Sequence, residues 1–493
     1  MKHRKGSVVL QVLLFATVST LVLSGIVTWA VGNTKLSRVT ADREQAIHLA
    51  ESGIDYYRWH LAHASSDFQD GTATSGPYVH QFYDKDGSLL GTYTLRITPP
   101  PLGSTIVTVR STGETNTVPA QKRTIETRFA IPSLAKYAVV ANADMRFGQG
   151  TEVFGPIHSN GGIRFDGVAH NLMTSSRTDY DDADHTGANE FGVHTHVNAP
   201  PSSGVNDTFR ANEAPPTSPV PSRTDVFEVG RQFPTPAVDF AGLSSDLASM
   251  KTAAQASGYY YGSSGAQGYL IRLKTNDTYD IYRVNTLVAV PGSCTNYAAT
   301  QSGWGTWSVS TKTFIENKAF PADGIIFVED HLWVDGAIDT ARVTIASARF
   351  PDTPATRTSI TVNDPLTYTN YDGQDVVSLV AQNNFNVGMV SSSTLRIDAA
   401  IVAQNGRAGR YLYSPTCGGH ASKTTLTLYG MIATNQRYGF AYTGTTFCGG
   451  TSGSGYCTRN LIYDANLLYG PPPSFPLTSN GYQVISWYEV PNP

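Results

Sequence analysis

Residues 7–31 form an uncharged, strongly apolar run, and this run constrains the chain more than any other feature. At ~1.5 Å rise per residue, a helix of this length reaches roughly 37 Å, enough to cross the ~30 Å hydrocarbon core of a bilayer. Lys2, His3, Arg4 and Lys5 precede the run, and such positive charge keeps an N-terminus in the cytoplasm. A removable secretory signal has a shorter apolar core of roughly 7–15 residues. The run therefore predicts a single membrane crossing, with everything after residue 31 exported.

The helical pattern continues beyond the apolar run. Residues 33–63 contain no proline, and Gly53 is their only glycine. Apolar residues recur there mostly at spacings of three, four or seven, the pattern of one helix face. They are Leu36, Val39, Ala46, Ile47, Ala50, Ile54, Tyr57 and Leu61. We expect one helix over residues 7–64, transmembrane over 7–31 and packed on a soluble domain thereafter.

Two features of this region resemble known families. Lys5-Gly6 before the apolar run resembles a type IV prepilin leader. Residues 30–61 resemble the N-terminal helix of PilX-like minor pilins and of the K-type pseudopilins of type II secretion. The shared pattern is QA followed by AE-x-G, present at residues 45–46 and 50–53.

The resemblance implies cleavage of a leader, residues 1–6, between Gly6 and Ser7. The helix would then pack in a filament. Gln11 stands at the fifth position of the mature chain, where major pilins carry Glu. PilX-like and K-type proteins tend to lack that Glu, so this departure favours a minor or tip component over a bulk subunit.

Composition points to an exported, β-rich chain. The net charge is −4, only 15% of residues are charged, and there are 45 Gly, 27 Pro and 26 Tyr. A general affinity for nucleic acid needs a basic face, which nothing in these totals indicates. Residues 65–131 contain short β-prone runs separated by Gly and Pro, with Asp86-Gly87 as a hairpin signal. We expect a small antiparallel sheet there.

Short strands with Asn and Gly at their ends recur later in the chain. VAQN occurs at residues 380–383 and again at 402–405, IATN follows at 432–435, and HSN at 158–160 resembles a first copy. A period near 20 residues is typical of a parallel β-helix, or solenoid, in which small apolar residues stack inward and Asn stacks on Asn. An ordinary β-sandwich is the alternative.

The expected fold class is therefore mainly β, with a long N-terminal helix, a small antiparallel sheet and a right-handed parallel β-helix carrying an inserted α+β block. Pro- and Ser-rich stretches cannot hold a sheet ladder and mark a linker. We predict first β-helix coils at 132–198, a linker and inserted block at 199–320, further coils at 321–440 and a C-terminal tail at 441–493.

The four cysteines are all in the exported part, where disulfides form. Four cysteines allow three pairings. The short loop between Cys448 and Cys457 favours that pair, which leaves Cys294 with Cys417. A zinc site including Cys417 and His420 is the alternative, although no C-x2-C pair completes it.

Residues 179–196 contain the densest group of residue types that bind metals. Asp182 and His185 belong to this group together with the candidate ligands named below. Alternating carboxylates suit Ca²⁺, and His194-Thr195-His196 offers imidazole nitrogens. The EF-hand pattern is only partly met, because Ala183 and Asp184 occupy positions that need a ligand and a glycine. We expect either a polar surface loop or a metal site, with Ca²⁺ ahead of Zn²⁺ and no other cofactor. The candidate ligands are Asp179, Asp181, Asp184, Glu190, His194 and His196.

No catalytic motif is found in the sequence. G-x-S-x-G, H-E-x-x-H and the P-loop are absent. β-Helix folds do host glycosidases, but the only Asp-Asp pair is Asp181-Asp182, and fold analogy alone does not assign an activity. We expect a protein that is not an enzyme.

The function that these features favour is that of a minor pilin or pseudopilin in a type IV pilus or secretion filament. Its expected partners are other pilins, the prepilin peptidase and membrane lipid before assembly. Aromatic side chains suit a surface glycan or protein ligand. They are Tyr259, Tyr260, Tyr261, Trp304, Trp307, Tyr411 and Tyr413. The alternative is a surface adhesin held by an uncleaved anchor.

Overall fold

The computed structural model describes residues 7–101, 104–117, 119–240, 242–294, 301–442, 453–477 and 481–491. The chain divides into two compact units. The smaller unit is Met1–Pro100, Ile106–Ala130 and Asn480–Pro493, and the larger is Pro101–Thr105 and Ile131–Ser479. The larger unit is thus inserted into the sequence of the smaller one. A long N-terminal helix followed by a mainly β chain is confirmed.

The first element of the smaller unit is one unbroken helix, α1, Ser7–His63. Its described residues up to position 40 are almost all exposed, whereas its C-terminal part buries one face. The buried side chains are Ala46, Leu49, Ala50, Ile54, Tyr57 and Leu61. These positions follow the helical spacing, so the amphipathic pattern decides which face packs.

The buried face of α1 packs against an antiparallel sheet. Its first four strands are β1 Tyr78–Tyr83, β2 Leu89–Thr98, β3 Val107–Thr115 and β4 Lys122–Ala130. Each pairs with the next in sequence. The β1–β2 turn includes Gly87 at φ +83°, a left-handed conformation that favours glycine.

A fifth strand comes from the C-terminus. β5, Gln483–Val490, pairs antiparallel with β4 and completes the sheet order β1-β2-β3-β4-β5. Residues 441–493 are therefore not a free tail. The physical reason is that β4 would otherwise present an open row of backbone donors and acceptors, which β5 satisfies.

The larger unit is built mainly from parallel strand pairings. A first ladder joins strands from distant parts of the chain, each parallel to its neighbour. In stacking order its members are Tyr259–Tyr261, Ile325–Val328, Arg342–Ser347, Val376–Ala381, Thr394–Ala403, Ser422–Thr434, Val139–Ala141, Ile157–Ser159, Met173–Ser175 and Arg231–Gln232.

A second ladder shares two of these long strands. It runs Gly268–Lys274, Leu332–Ile338, Leu366–Tyr368, Thr394–Ala403, Ser422–Thr434, Ser454–Tyr463, Thr151–Phe154 and Val168–Ala169. A third set of parallel pairings comes in two pieces. They are Leu332–Ile338 with Ile360–Thr361, Phe385–Val387 and Ala408–Arg410, and Met145–Phe147 with Ile163–Phe165 and Val193–His194.

Side chains of the first ladder alternate between two hydrophobic clusters. One side forms an in-register aliphatic column that belongs to the main core. Its members are Ile326, Ile345, Leu379, Ile401, Ile432, Val139, Ile157 and Met173. The other side packs in a second cluster with helix α2, Gly242–Ala256, through Leu247, Met250 and Ala254. Most side chains on both faces of the inner strands are thus buried, whereas the end strands Tyr259–Tyr261 and Arg231–Gln232 are partly exposed.

Antiparallel strands and short helices complete the larger unit. Thr278–Leu287 pairs with Gly268–Lys274 and with Val309–Ala319, Asp179–Tyr180 with Glu190–Phe191, and Ala441–Tyr442 with Ser454–Tyr463. The 3₁₀ helices are Leu134–Lys136, Ala211–Glu213, Pro354–Thr356, Pro415–His420 and Ala465–Leu468.

The segment expected as a linker is only partly one. Arg231–Gln232 ends the first ladder, and Val226 and Phe227 are buried in the main core. The reason is that these apolar side chains pack against the main core despite the surrounding prolines. The backbone of residues 231–232 pairs with the strand Met173–Ser175.

The VAQN recurrence corresponds to a real register at its first two copies. Val380 pairs with Val402, as the 22-residue spacing predicts. The third copy is shifted by one residue, since Val402 pairs with Ala433 and not with Ile432. Asparagines stack at the corner as expected, with Asn160 donating to Asn142 at 2.8 Å and Asn142 to Asn435 at 2.8 Å.

Neighbouring side chains around Val402 face different clusters, as alternation along a strand predicts. Ile401 and Ala403 belong to the main core, whereas Val402 packs in the second cluster. All three are buried, and the side chains that cover Val402 are those of the second cluster. A higher tolerance of charge on one face is therefore not expected at this strand.

Candidate functional site

The exposed part of α1 is the first candidate site. Among the described residues, α1 is long and apolar enough to cross a membrane by length and composition. Ser7 is its first residue, and Gln11 is exposed on it. Gly6 lies outside the described residues. The apolar surface from Val8 to Val31 is one that lipid or neighbouring helices would cover.

The packed part of α1 lies very close to the sheet. A Cβ on Gly113 of β3 would fall against the Ala46 carbonyl oxygen and 2.8 Å from Leu49 Cβ. A Cβ on Gly53 of α1 would meet Ser111 Oγ and lie 2.8 Å from a ring carbon of Tyr93. These two glycines allow the close helix–sheet approach that fixes α1 on its domain.

The second candidate site is a histidine–carboxylate cluster, formed by Asp182, His185, Glu190, His194 and His196. Glu190 begins the strand Glu190–Phe191 and His194 ends the strand Val193–His194, and a bend between these two short strands brings the side chains of Glu190, His194 and His196 together. Gly192 lies between them, where a Cβ would collide with the Arg177 carbonyl oxygen. Side chains of the cluster are 0–6% exposed.

The three imidazoles converge on one carboxylate. The Nε2 atoms of His185 and His194 lie 3.0 Å from Glu190 Oε2, and His196 Nε2 lies 3.1 Å from Glu190 Oε1. Asp182 Oδ2 is 3.6 Å from His185 Nε2 and 3.7 Å from His194 Nε2. Ligand atoms of Asp182, His185, Glu190 and His196 all lie within 4.8 Å of one another.

The surroundings orient these rings. His196 Nδ1 lies 2.7 Å from the Asn206 carbonyl oxygen, and His194 Nδ1 lies 3.3 Å from that of Phe191. Arg210 donates its backbone N–H to Glu190 Oε1 at 2.9 Å. Backbone carbonyls therefore hold the Nδ1 atoms of His194 and His196, and the Nε2 atoms of these two rings point at Glu190.

Both carboxylates of the cluster are held ionised. Burial raises the pKa of Glu190, but the contacts with His194 and His196 outweigh it and hold that pKa well below its usual range. Burial also raises the pKa of Asp182, but the contact with His194 chiefly outweighs it and lowers that pKa well below its usual range. Burial lowers the pKa of His194, but the contacts with Asp182 and Glu190 outweigh it and raise that pKa. The two buried negative charges therefore need either imidazolium or a bound cation beside them.

Sequence analysis identified only part of this cluster. Glu190, His194 and His196 come together as expected, and Asp182 and His185 join them in place of three other acids. Asp179 accepts a hydrogen bond from Asn189 at 2.6 Å, Asp181 is exposed, and Asp184 pairs with Arg437 and Arg146. The expected Ca²⁺ pattern of alternating carboxylates is not formed, because those side chains point to different partners.

The cysteines are placed as follows. Cys294 and Cys417 form a disulfide that spans 123 residues of sequence. Cys417 is therefore not available as a zinc ligand beside His420. Cys448 lies outside the described residues, so its pairing with Cys457 stays a prediction.

Peptide mapping without reduction tests both bridges. We expect one linked peptide pair containing Cys294 and Cys417, and another containing Cys448 and Cys457, because both pairs lie in the exported part where oxidation is favoured. Mass spectrometry before and after reduction measures the linkage. Free thiols at Cys448 and Cys457 in surface-exposed protein would contradict the second bridge alone.

The aromatic residues expected to bind a ligand are mostly packed. Tyr411 and Tyr413 are buried beside the Cys294–Cys417 disulfide, where Trp304 packs against them. Tyr260 is 36% exposed and donates its hydroxyl to Glu329 at 2.6 Å. Tyr411 and Tyr413 therefore serve the core and not a stacking surface.

Comparison with known proteins finds a likeness among solved structures. No protein-family model matches the chain, and no curated protein matches its sequence. Among solved structures, the chain is similar to the competence-associated pilin ComZ from Thermus thermophilus. The two share 15% identity over 91% of this chain and 97% of that chain, with a TM-score of 0.31. At that identity and score, the functional assignment rests on the geometry of this chain.

Proposed function

We propose that the protein is a pilin-type subunit, a minor pilin or pseudopilin, that enters a filament through α1. The observation that supports this most is the division of α1 into an exposed apolar part and a part packed on an antiparallel sheet. A helix of a self-sufficient soluble domain would bury its apolar surface within the chain. The exposed part of α1 requires either lipid or other helices as a partner.

We further propose that the larger unit is a right-handed parallel β-helix. The parallel ladders, the in-register aliphatic column and the Asn stack support it. Parallel crossovers within one sheet are right-handed in nearly all proteins. In this proposal the β-helix is what the filament presents, and no catalysis is assigned to it.

Processing distinguishes this function from an anchored adhesin. In the proposed pathway, a prepilin peptidase removes residues 1–6 and Ser7 becomes the mature N-terminus. The subunit waits in the cytoplasmic membrane before assembly, with its C-terminal domain exported. An adhesin held by an uncleaved anchor would keep Met1.

Gly6→Leu is expected to abolish this cleavage, because a large side chain replaces the glycine at the scissile bond. The measurement is the intact mass of the membrane-extracted protein, with N-terminal sequencing. We expect wild type to begin at Ser7 and the variant to keep residues 1–6.

Gly32→Leu is the matched control, since a side chain at Gly32 meets no atom of the described chain within 4 Å. This variant should be processed like wild type. Wild-type protein that begins at Met1 in assembled filaments would exclude the pilin assignment and favour the anchored adhesin.

A further inference from the structure

We propose that the histidine–carboxylate cluster binds one divalent transition-metal ion of the zinc type. The ligands would come from the imidazoles of His185, His194 and His196 and the carboxylates of Glu190 and Asp182. This inference does not depend on the filament function, because the cluster lies wholly within the larger unit.

The first argument is a conflict between hydrogen-bond acceptors. A backbone carbonyl oxygen can only accept a hydrogen bond. The Asn206 carbonyl therefore requires a proton on Nδ1 of His196, and the Phe191 carbonyl requires one on Nδ1 of His194. In a neutral ring, Nε2 then presents a lone pair. Each lone pair faces the Glu190 carboxylate, which also only accepts. A cation between these atoms removes the conflict.

The second argument comes from atoms that approach without bonding. His194 Nε2 lies 3.0 Å from Glu190 Oε2, yet it makes no hydrogen bond within the described chain, and neither does Asp182 Oδ2. Four ligands at about 2.0–2.1 Å from a tetrahedral Zn²⁺ lie roughly 3.3 Å from one another. The closest pairs in the cluster are 3.0–3.7 Å apart, and the ligand atoms of Asp182, His185, Glu190 and His196 all lie within 4.8 Å of one another. Four of the five side chains thus suffice to surround one ion.

The third argument is charge. Three neutral imidazoles and two buried carboxylates carry a charge that one dication balances. Arg164 supplies part of this balance at Asp182, 3.5 Å away, but it is shared with Asp166 at 2.8 Å and with Asp207. Two imidazolium ions would also balance the charge, and the experiment below distinguishes the two.

The ligand types select the metal. Imidazole nitrogens suit Zn²⁺ and its neighbours, whereas Ca²⁺ prefers six or more oxygens. The carbonyl contacts of His194 and His196 are the outer-shell hydrogen bonds that metal-bound histidines usually make. The cluster is therefore a nitrogen-rich site and not a calcium loop.

The metal would fix a segment that has little core of its own. Between Ser175 and Arg231, the described strands are very short, two residues each at Asp179–Tyr180, Glu190–Phe191 and Val193–His194. Binding energy at a structural zinc site is folding energy for the segment that supplies the ligands. We expect residues 179–213 to become protease-sensitive when the metal is removed.

The test uses full-length protein extracted in detergent without chelator. Elemental analysis by mass spectrometry should find about one zinc-type ion per chain. Glu190→Gln, which keeps the shape of the side chain and removes its charge, should lower the metal content at least tenfold. Chelation should accelerate proteolysis within residues 179–213, and added Zn²⁺ should restore the protection.

His170→Gln is the matched control. His170 also lies between two carboxylates, 2.8 Å from Glu228 and 3.6 Å from Glu152, but no further imidazole joins it. This variant should keep the metal. If Glu190→Gln does not accumulate, the metal content of the wild-type protein and its response to chelation distinguish a bound ion from an imidazolium network.

Three results would overturn the proposal. Wild-type protein that holds no metal after incubation with Zn²⁺ would establish the imidazolium network. Equal metal content in wild type and Glu190→Gln would place the ion elsewhere. Protein that takes up Ca²⁺ but not Zn²⁺ would exclude the nitrogen ligands.

Discussion

Gly113→Val is expected to separate α1 from its sheet and to destabilise the smaller unit by at least about 3 kcal/mol, the upper end of overpacking costs. The added side chain would begin inside the Ala46 carbonyl oxygen and beside the Ala50 amide nitrogen. Both are backbone atoms of α1, so no side-chain rotation relieves the collision. The helix must move away from β3, and its buried face then loses contact.

Thermal unfolding and limited proteolysis of the detergent-extracted protein measure this effect. We expect residues 46–61 of α1 to lose their protection in Gly113→Val. Thr112→Val is the control, because it keeps the side-chain volume one position away and loses only the hydrogen bond to Thr124, worth about 1 kcal/mol. Equal stability of the two variants would show that α1 does not approach β3 so closely.

Ile401→Asp is expected to prevent accumulation of the folded larger unit. Ile401 is fully buried and stacks in register between Leu379 and Ile432. A carboxylate there has no partner among these aliphatic side chains, and an unpaired buried charge costs several kcal/mol, on the order of the whole stability of a domain.

Val402→Asp should be nearly as damaging, because Val402 is buried in the second cluster. Thr394→Asp is the control at the exposed start of the same strand and should change stability by less than about 0.5 kcal/mol. Circular dichroism and protein yield report the outcome. Tolerance of Val402→Asp alone would mean that the second cluster does not bury Val402, and tolerance of both would refute the stacked core.

The sequence predicts those parts of the fold that depend on local periodicity. The helical spacing from Ala46 to Leu61 identifies the buried face of α1, and the recurrence of VAQN identifies the register of Val380 on Val402. Pairings between distant segments leave no such local signal. The return of Gln483–Val490 to β4, and the burial of Val226 and Phe227 within a proline-rich stretch, depend on partners that no window of sequence includes.

The candidate metal site shows the same division. The closeness of Glu190, His194 and His196 in the sequence suggests them as one group. A straight strand would hold residues 190 and 194 about 13 Å apart, so their contact depends on the bend at Gly192. Asp182 and His185 belong to the preceding turn, and whether a turn directs Asp182 or Asp184 inward depends on tertiary contacts. Arg437, 253 residues away from Asp184, pairs with that acid and so removes it from the cluster.

The position of Val139–Ala141 in the first ladder has a consequence for biogenesis. This strand is the first of the larger unit to leave the ribosome, yet one of its edges pairs with Ile432–Thr434, and Asn142 contacts a residue 293 positions later. The edge of Val139–Ala141 therefore stays unpaired until residues 432–434 have been synthesised. The strand Ser422–Thr434 then joins the early strands of the ladder to the later ones. Such long-range closure slows folding and exposes the edge to misassociation.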